Sequence, residues 1–401
     1  MLQPSMEYTQ RILVENEEKE LSKTRRKKIL KKMGKRALIT LAVLSVPVAG
    51  YTGDVLANQA AQSEAISTIQ VSEAPLDPEN NDKAIVFFDG FRSNNADELV
   101  LYRGEGLQNV LDGQLWSVGY NNANLQPNTI GENIISLADE QGVDTLYFYG
   151  ESAGGTIEME AQAYVAEHSD ITIAAHILNS VPDGAAGLRK ARQDEIKTVE
   201  TLSVIPGAKY SSVVRFLGEM AFRSESFYKD GEFNIDKAFS TTGEVIDVLQ
   251  GDKVAGSWLM FDQLMAIEDA DIQGHINKIG ELPPEIQRPV VIYIGTAKPG
   301  FDYIVNDKLS AENIEQYALD ANVPFIHLRV PGAVHSLPGV KVESFNTTLA
   351  DAKNEIQKTI ATEENIAAFN KRESRRDGKV FDSLPIISDE TEDTTEEVAQ
   401  K

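Results

Sequence analysis

Apolar positions along this chain follow two registers. Short continuous runs have the length and the β-branched or aromatic content of strands buried on both faces: Ala84 to Phe88, Leu115 to Tyr120, Leu146 to Tyr149, Ile171 to Leu178, Pro289 to Ile294 and Phe325 to Val330. Between and after them, apolar residues recur at helical spacing. Ile130 to Ala138 is one such segment; Ile157, Ala161, Tyr164 and Val165 mark a second; Phe345, Leu349, Ala352, Ile356 and Ile360 mark one face of a closing helix. Strands alternating with helices predict an α/β fold, with a mostly parallel central sheet flanked by helices on both faces. From about Asp183 to Gln287 the alternation breaks down, and Val213 to Phe222 and Ser257 to Ile267 predict a largely helical insertion between two sheet strands.

The ends of the chain have other patterns. Residues 1–36 carry 11 Lys/Arg against 5 Asp/Glu, and Lys23 to Arg36 packs nine basic residues with no acid. Ala37 to Gly50 is then apolar apart from Thr40 and Ser45. A basic stretch followed by an apolar one reads as an export signal, with Val55-Leu56-Ala57 as a cleavage site, or as an uncleaved membrane anchor over 37–57. In either case the basic leader (1–36) is expected in the cytoplasm and the rest outside it. Residues 58–81, rich in Ala, Gln, Ser, Glu and Asn, read as a linker, the globular domain as 82–365, and the acidic stretch 366–401 as a disordered tail.

Composition narrows the chemistry. The 401 residues contain no cysteine, so no disulfide framework or thiol nucleophile is available. The formal charge is -24, and with the leader at +6 the remainder carries -30. Such an acidic body argues against nucleic acid as a partner and leaves contact with a membrane to the N-terminal segment. There is no HExxH, Walker loop, EF-hand signature or GxGxxG opening a βαβ unit, so neither a metal nor a nucleotide cofactor is indicated.

One motif does carry chemistry. Gly150-Glu151-Ser152-Ala153-Gly154 follows the Leu146–Tyr149 strand at once and opens the next helix. Glycine is common enough for Gly-x-Ser-x-Gly to arise by chance in roughly one chain in ten of this length, but the strand-to-helix context is much rarer. A serine at the tip of so tight a turn needs small neighbours two residues either side, and the turn aims backbone N–H groups and the helix N-terminus at whatever the serine attacks. Here the chain resembles the α/β-hydrolase superfamily, whose nucleophile elbow has this form.

The resemblance implies a serine esterase or lipase-like hydrolase with an inserted helical cap. Its order of serine, acid and histidine selects His335 from five histidines, because it alone sits in a Gly-containing loop directly after a strand near the end of the domain. The acid expected after the Pro289–Ile294 strand is Asp302, with Asp307 as the alternative. The oxyanion hole would use the N–H of Ala153 and a second from Gly90 or Phe91, although Phe88-Asp89-Gly90-Phe91 departs from the HGGG form and places Asp89 beside a developing negative charge. Trp258, Leu259, Met260, Phe261, Leu264 and Met265 are expected mainly as helix core, with an acyl pocket as their second role. The expected partner is a small-molecule or lipid-like ester. A peptidase or amidase using the same triad, and a non-catalytic binding module on the same fold, are the alternatives.

Overall fold

The computed structural model describes residues 53–57, 67–122, 124–222, 228–229, 232–233, 240–243, 245, 255, 257–296, 298, 302–335 and 339–376. The basic leader, the apolar run from Ala37 to Gly50 and the acidic tail beyond Arg376 lie outside the described residues. Among the described residues no helix is long and apolar enough to cross a membrane.

The chain divides into two compact units. The smaller comprises 1–64 and 201–249, the larger 65–200 and 250–401. In the smaller unit, residues 53–57 are helical, α5 spans Ser212–Phe222, and β6 (Tyr228–Lys229) pairs antiparallel with β7 (Glu232–Phe233). The Ser211 hydroxyl there donates to Asp54 Oδ2 at 2.8 Å.

The larger unit is built on a seven-stranded sheet. Its strands are β1 (Thr68–Glu73), β2 (Lys83–Phe88), β3 (Gln114–Gly119), β4 (Thr145–Glu151), β5 (Thr172–Asn179), β8 (Val290–Thr296) and β9 (Phe325–Val330), in the order β1-β3-β2-β4-β5-β8-β9. Every pairing is parallel except β1 with β3. The helices are α1 (Asp97–Leu111), α2 (Pro127–Gln141), α3 (Ala153–His168), α4 (Lys190–Ser203), α6 (Ser257–Glu268), α7 (Ile272–Gly280), α8 (Asp307–Asp320) and α9 (Val342–Arg376).

The unbroken apolar runs follow from burial on both faces. Along β2, Ile85 and Phe87 pack on one side with Leu99, Val100 and Leu107 of α1 and with Phe345, Leu349 and Ile356 of α9. Ala84, Val86 and Phe88 face the other way, onto Ile130 and Ile134 of α2 and Ile157 and Ala161 of α3. The chain steps from β2 to β3 in one direction and then crosses back, so that β4 lies on the other side of β2. This is a topological switch point, where the loops leaving neighbouring strands part and open a crevice at their carboxyl ends. Parallel register aligns those ends: Phe88 is opposite Gly150, Glu151 opposite Asn179, and Thr296 opposite Val330.

Three boundaries differ from the sequence reading. The linker expected over 58–81 contains β1, and Pro78–Asn80 forms a turn of 3-10 helix. The strand is hard to tell from a linker because its side chains are mostly exposed, as befits an edge strand, and its apolar alternation is only two residues long, Ile69 and Val71. The closing helix runs to Arg376, beyond the expected limit at 365, with Asn370 Nδ2 donating to Pro284 O at 2.8 Å. The helical insertion also ends earlier than Gln287. Helix α7 buries Ile272, Ile276 and Ile279 against Tyr293 of β8 and Ile314 of α8, which makes it one of the helices flanking the sheet.

Candidate active site

The elbow is tight in this structure as its sequence requires. Ser152 adopts φ 55 and ψ -123, a left-handed φ that costs a side-chain-bearing residue about 1–3 kcal/mol. Surrounding bonds enforce it: Ser152 N–H donates to Asn179 O of β5 at 2.9 Å, and Gly155 N–H donates to Ser152 O at 3.0 Å. Gly154 is required by close approach, since a Cβ there would lie 2.2 Å from Phe88 O. Helix α3 therefore starts hard against the end of β2.

Three loops bring together side chains distant in sequence. His335, in the loop after β9, accepts the Ser152 hydroxyl at Nε2 (3.0 Å) and donates from Nδ1 to Asp302 Oδ2 (2.7 Å). This proton placement follows from the carboxylate, which can only accept. Asp302 is fully buried, and its other oxygen, Oδ1, accepts the N–H groups of Ile304 and Val305, both at 2.8 Å. The Asp302 carbonyl in turn accepts Arg189 Nε at 3.1 Å, so the loop after β8 is held from both sides. Ser152 is 6% and His335 8% exposed, dry enough for these bonds to be little weakened by water.

The alternative acid, Asp307, lies apart from this line. Its carboxylate accepts Thr296 N–H at 2.7 Å, Thr296 Oγ1 at 3.0 Å and the Tyr293 hydroxyl at 3.0 Å, tying the start of α8 to the end of β8. Burial pushes its carboxyl above the usual range. The other histidines are also elsewhere. His176 pairs with Glu158 at 3.2 Å in the core, His168 sits at the exposed end of α3, His275 lies on α7 and His327 on β9.

The expected oxyanion donors flank Ser152. Ala153 is the first residue of α3, so its N–H has no acceptor within the helix. Across the crevice a Cβ on Gly90 would lie 3.1 Å from Ser152 Cβ, which puts the loop after β2 directly beside the nucleophile. Gly90 N–H itself donates to Asp89 Oδ1 at 2.6 Å. Of the two candidates in that loop, Gly90 is thus committed to Asp89, and Phe91 is the one that remains. Asp89 is pushed up to about 7, chiefly by burial and then by the negative field of Glu151. A carboxyl that titrates near neutrality burdens an oxyanion far less than an ordinary aspartate would.

Sequence reasoning missed the polar group under the elbow. Glu151 is buried beside the nucleophile, its Oε2 accepting the Tyr149 hydroxyl at 2.9 Å and Asn179 Nδ2 at 3.1 Å, with Arg103 Nε at 3.8 Å. Burial raises its carboxyl, and Arg103 opposes the rise. The Arg103 guanidinium also lies 4.5 Å from the Phe345 ring centroid. Glu151 stood inside the motif in plain view; that it is buried, and that α1 supplies its cation, is a matter of tertiary packing. Among the described residues no cluster of three or more His, Asp or Glu side chains is arranged to hold a metal ion.

A mostly parallel sheet flanked by helices, with a serine elbow after its central strand and a histidine after its last, is the architecture of the α/β-hydrolase fold. No family model matches the chain, and no curated protein matches it. Similar solved structures include an esterase (EaEST) from Exiguobacterium antarcticum, at 13% identity and TM-score 0.45, covering 73% of this chain and 98% of that one. A carboxyl esterase from Bacillus coagulans is 12% identical with TM-score 0.45, covering 75% and 94%. MenH from S. aureus is 14% identical with TM-score 0.42, covering 73% and 98%. Likenesses this distant bear on neither substrate nor mechanism, which rest on the geometry above.

Proposed function

We propose that this protein is a serine hydrolase that cleaves a carboxylic ester through an acyl-enzyme. The observation that carries the reading is the continuous hydrogen-bonded line from Asp302 through His335 to Ser152, with steps of 2.7 and 3.0 Å. A serine hydroxyl becomes a useful nucleophile only when a base takes its proton, and the base needs a fixed tautomer. Asp302, anchored at one oxygen by two backbone N–H groups, supplies that orientation.

In the proposed reaction Ser152 Oγ bonds to the ester carbonyl carbon as its proton passes to His335 Nε2. The carbonyl oxygen takes up the displaced electron pair and is met by the N–H groups of Ala153 and Phe91. Collapse of this intermediate breaks the bond to the alkoxy oxygen, which leaves as alcohol with the proton from Nε2. Water then repeats the sequence on the acyl-enzyme, giving up its proton to His335 and returning Ser152 with the acid as product. Asp302 stays ionised and stabilises the imidazolium each time it forms.

The test is labelling of the full chain with a fluorophosphonate, followed by peptide mass spectrometry. Modification is expected at Ser152, and Ser152→Ala is expected to lower hydrolysis of short-chain p-nitrophenyl esters by about 10⁴-fold or more. Folded protein that takes no label counts against the reading and favours the binding-module alternative; turnover of anilides but not of esters would move it to an amidase.

We also propose that the domain acts outside the cytoplasm, tethered by or released from residues 37–57. This rests on the basic-then-apolar order of the N-terminal sequence. Recovery of the full chain only in the soluble cytoplasmic fraction would remove this proposal.

A further inference from the structure

One side chain of helix α6 bonds to the backbone of the loop after β2. Gln263 is fully buried, and both ends of its amide are spent on that loop's backbone. Its Oε1 accepts Arg92 N–H at 2.9 Å, while its Nε2 donates to Ser93 O at 2.8 Å and makes a longer contact with Gly90 O at 3.4 Å. Two of the three, those to Arg92 N–H and Gly90 O, fall on the peptide groups that flank Phe91. A trans peptide is planar, with its carbonyl oxygen and N–H on opposite edges. Drawing Gly90 C=O toward α6 therefore turns Phe91 N–H away from α6, and holding Arg92 N–H fixes the plane on the other side of the same residue.

The loop needs such a hold. Arg92 has φ 77, a left-handed conformation that a side-chain-bearing residue leaves unless its surroundings determine it. Arg92 O is bonded as well, to Ala255 N–H at 2.8 Å, so the strained residue is gripped at both its N–H and its C=O. Phe91 itself packs in the apolar cluster that contains Ala153, the other expected donor, together with Leu264 and Ile267 of α6. The same helix thus packs against the first donor and clamps the backbone around the second.

We propose that Gln263 is a positioning residue for the reaction: by clamping Gly90 C=O and Arg92 N–H, it holds Phe91 N–H as the second donor to the oxyanion. The inference rests on the reading of Ser152 as the nucleophile. It makes the insertion a contributor to the chemical step.

The experiment is the rate of fluorophosphonate labelling at Ser152 in the full chain, measured against probe concentration so that reversible binding and the chemical step separate. Gln263→Met keeps the length of the side chain and removes all three polar contacts. Gln263→Glu keeps an acceptor for Arg92 N–H and removes the donors to Gly90 O and Ser93 O. Each is expected to slow the chemical step by about tenfold or more, part of the 10²–10³ that loss of an oxyanion donor costs, with the probe's binding constant little changed. Circular dichroism and the melting temperature establish that each variant is folded; if Gln263→Met does not fold, Gln263→Glu carries the test. A folded variant that labels at the wild-type rate, or whose defect lies wholly in probe binding, overturns the inference. Absence of label at Ser152 in the wild-type protein overturns the underlying reading instead, and is a separate outcome.

Discussion

A carboxylate directs a histidine only when it cannot turn to face something else. Asp302 has its Oδ1 pinned by Ile304 and Val305 N–H, which leaves Oδ2 for His335 Nδ1. In Asp302→Asn one end of the group must become an amide NH2. If Oδ1 stays with the two backbone donors, the NH2 faces Nδ1 and forces the proton onto Nε2, where it blocks acceptance from Ser152. The expected result is a loss of about 10⁴ in kcat on an ester substrate, with little change in melting temperature; a loss under about tenfold would mean that Asp302 does not orient the base. These three side chains were legible in the sequence because each sits at a recognisable local feature, an elbow or a loop directly after an apolar run. The choice between Asp302 and Asp307 was open there, and packing separates them: Asp307 is consumed by Thr296 and Tyr293. Glu151, Arg103 and Gln263 were not legible as a site, since nothing local marks a residue whose partners lie on other elements.

At the level of elements, the elbow works because β2 and α3 nearly touch at Gly154. In Gly154→Ala the new methyl would meet Phe88 O at 2.2 Å and Asp89 O at 2.7 Å, both backbone atoms that cannot swing aside. The start of α3 must then shift and carry Ser152 with it. We expect the variant to lose about 1–3 kcal/mol of stability and most of its Ser152 labelling, as read by melting temperature and labelling rate; wild-type behaviour in both would show that the junction is slack. The strands of the sheet core were legible because they are apolar on both faces. β1 was not, being mostly exposed, and neither was α1, whose Gly104 and Gly106 argue against a helix on propensity alone. Packing overrides that preference: the space beside Gly104 is occupied by Leu115 and the space beside Gly106 by Leu349 and Asn346. The insertion reads as helical from its sequence, but α7 reads as part of it, because its apolar face cannot be told from that of a cap helix without the sheet on which it packs.

For the molecule as a whole, buried acids set the response to pH. Asp89 is pushed up to about 7, and burial also raises Glu151, Glu158 and Asp307. Each of these binds its proton more tightly in the folded chain than in the unfolded one, where carboxylates titrate near about 4. Between about pH 4 and pH 7 the folded state therefore holds more protons, and its stability falls as pH rises. His275 and His327 have the opposite sign, since burial lowers both and favours folding as pH climbs toward about 6.5. The carboxylates outweigh them, because Glu151 and Glu158 are almost completely buried and the formal charge of -24 adds repulsion in the same direction. Calorimetry should give a higher melting temperature at pH 5 than at pH 8, with the gap narrowed in Asp89→Asn, which keeps an acceptor for Gly90 N–H. A melting temperature that is flat or rising over this range would show that the histidines dominate.

The division into two units has a consequence for descent. Ser152, Asp302, His335, both proposed oxyanion donors and Gln263 all belong to residues 65–200 and 250–401, and none to 201–249. An excursion of the chain that contributes no atom to the catalytic line is free to be lengthened, trimmed or exchanged by recombination while the register of the sheet is inherited intact. Lineages descended from this one should therefore differ most in length between positions 201 and 249.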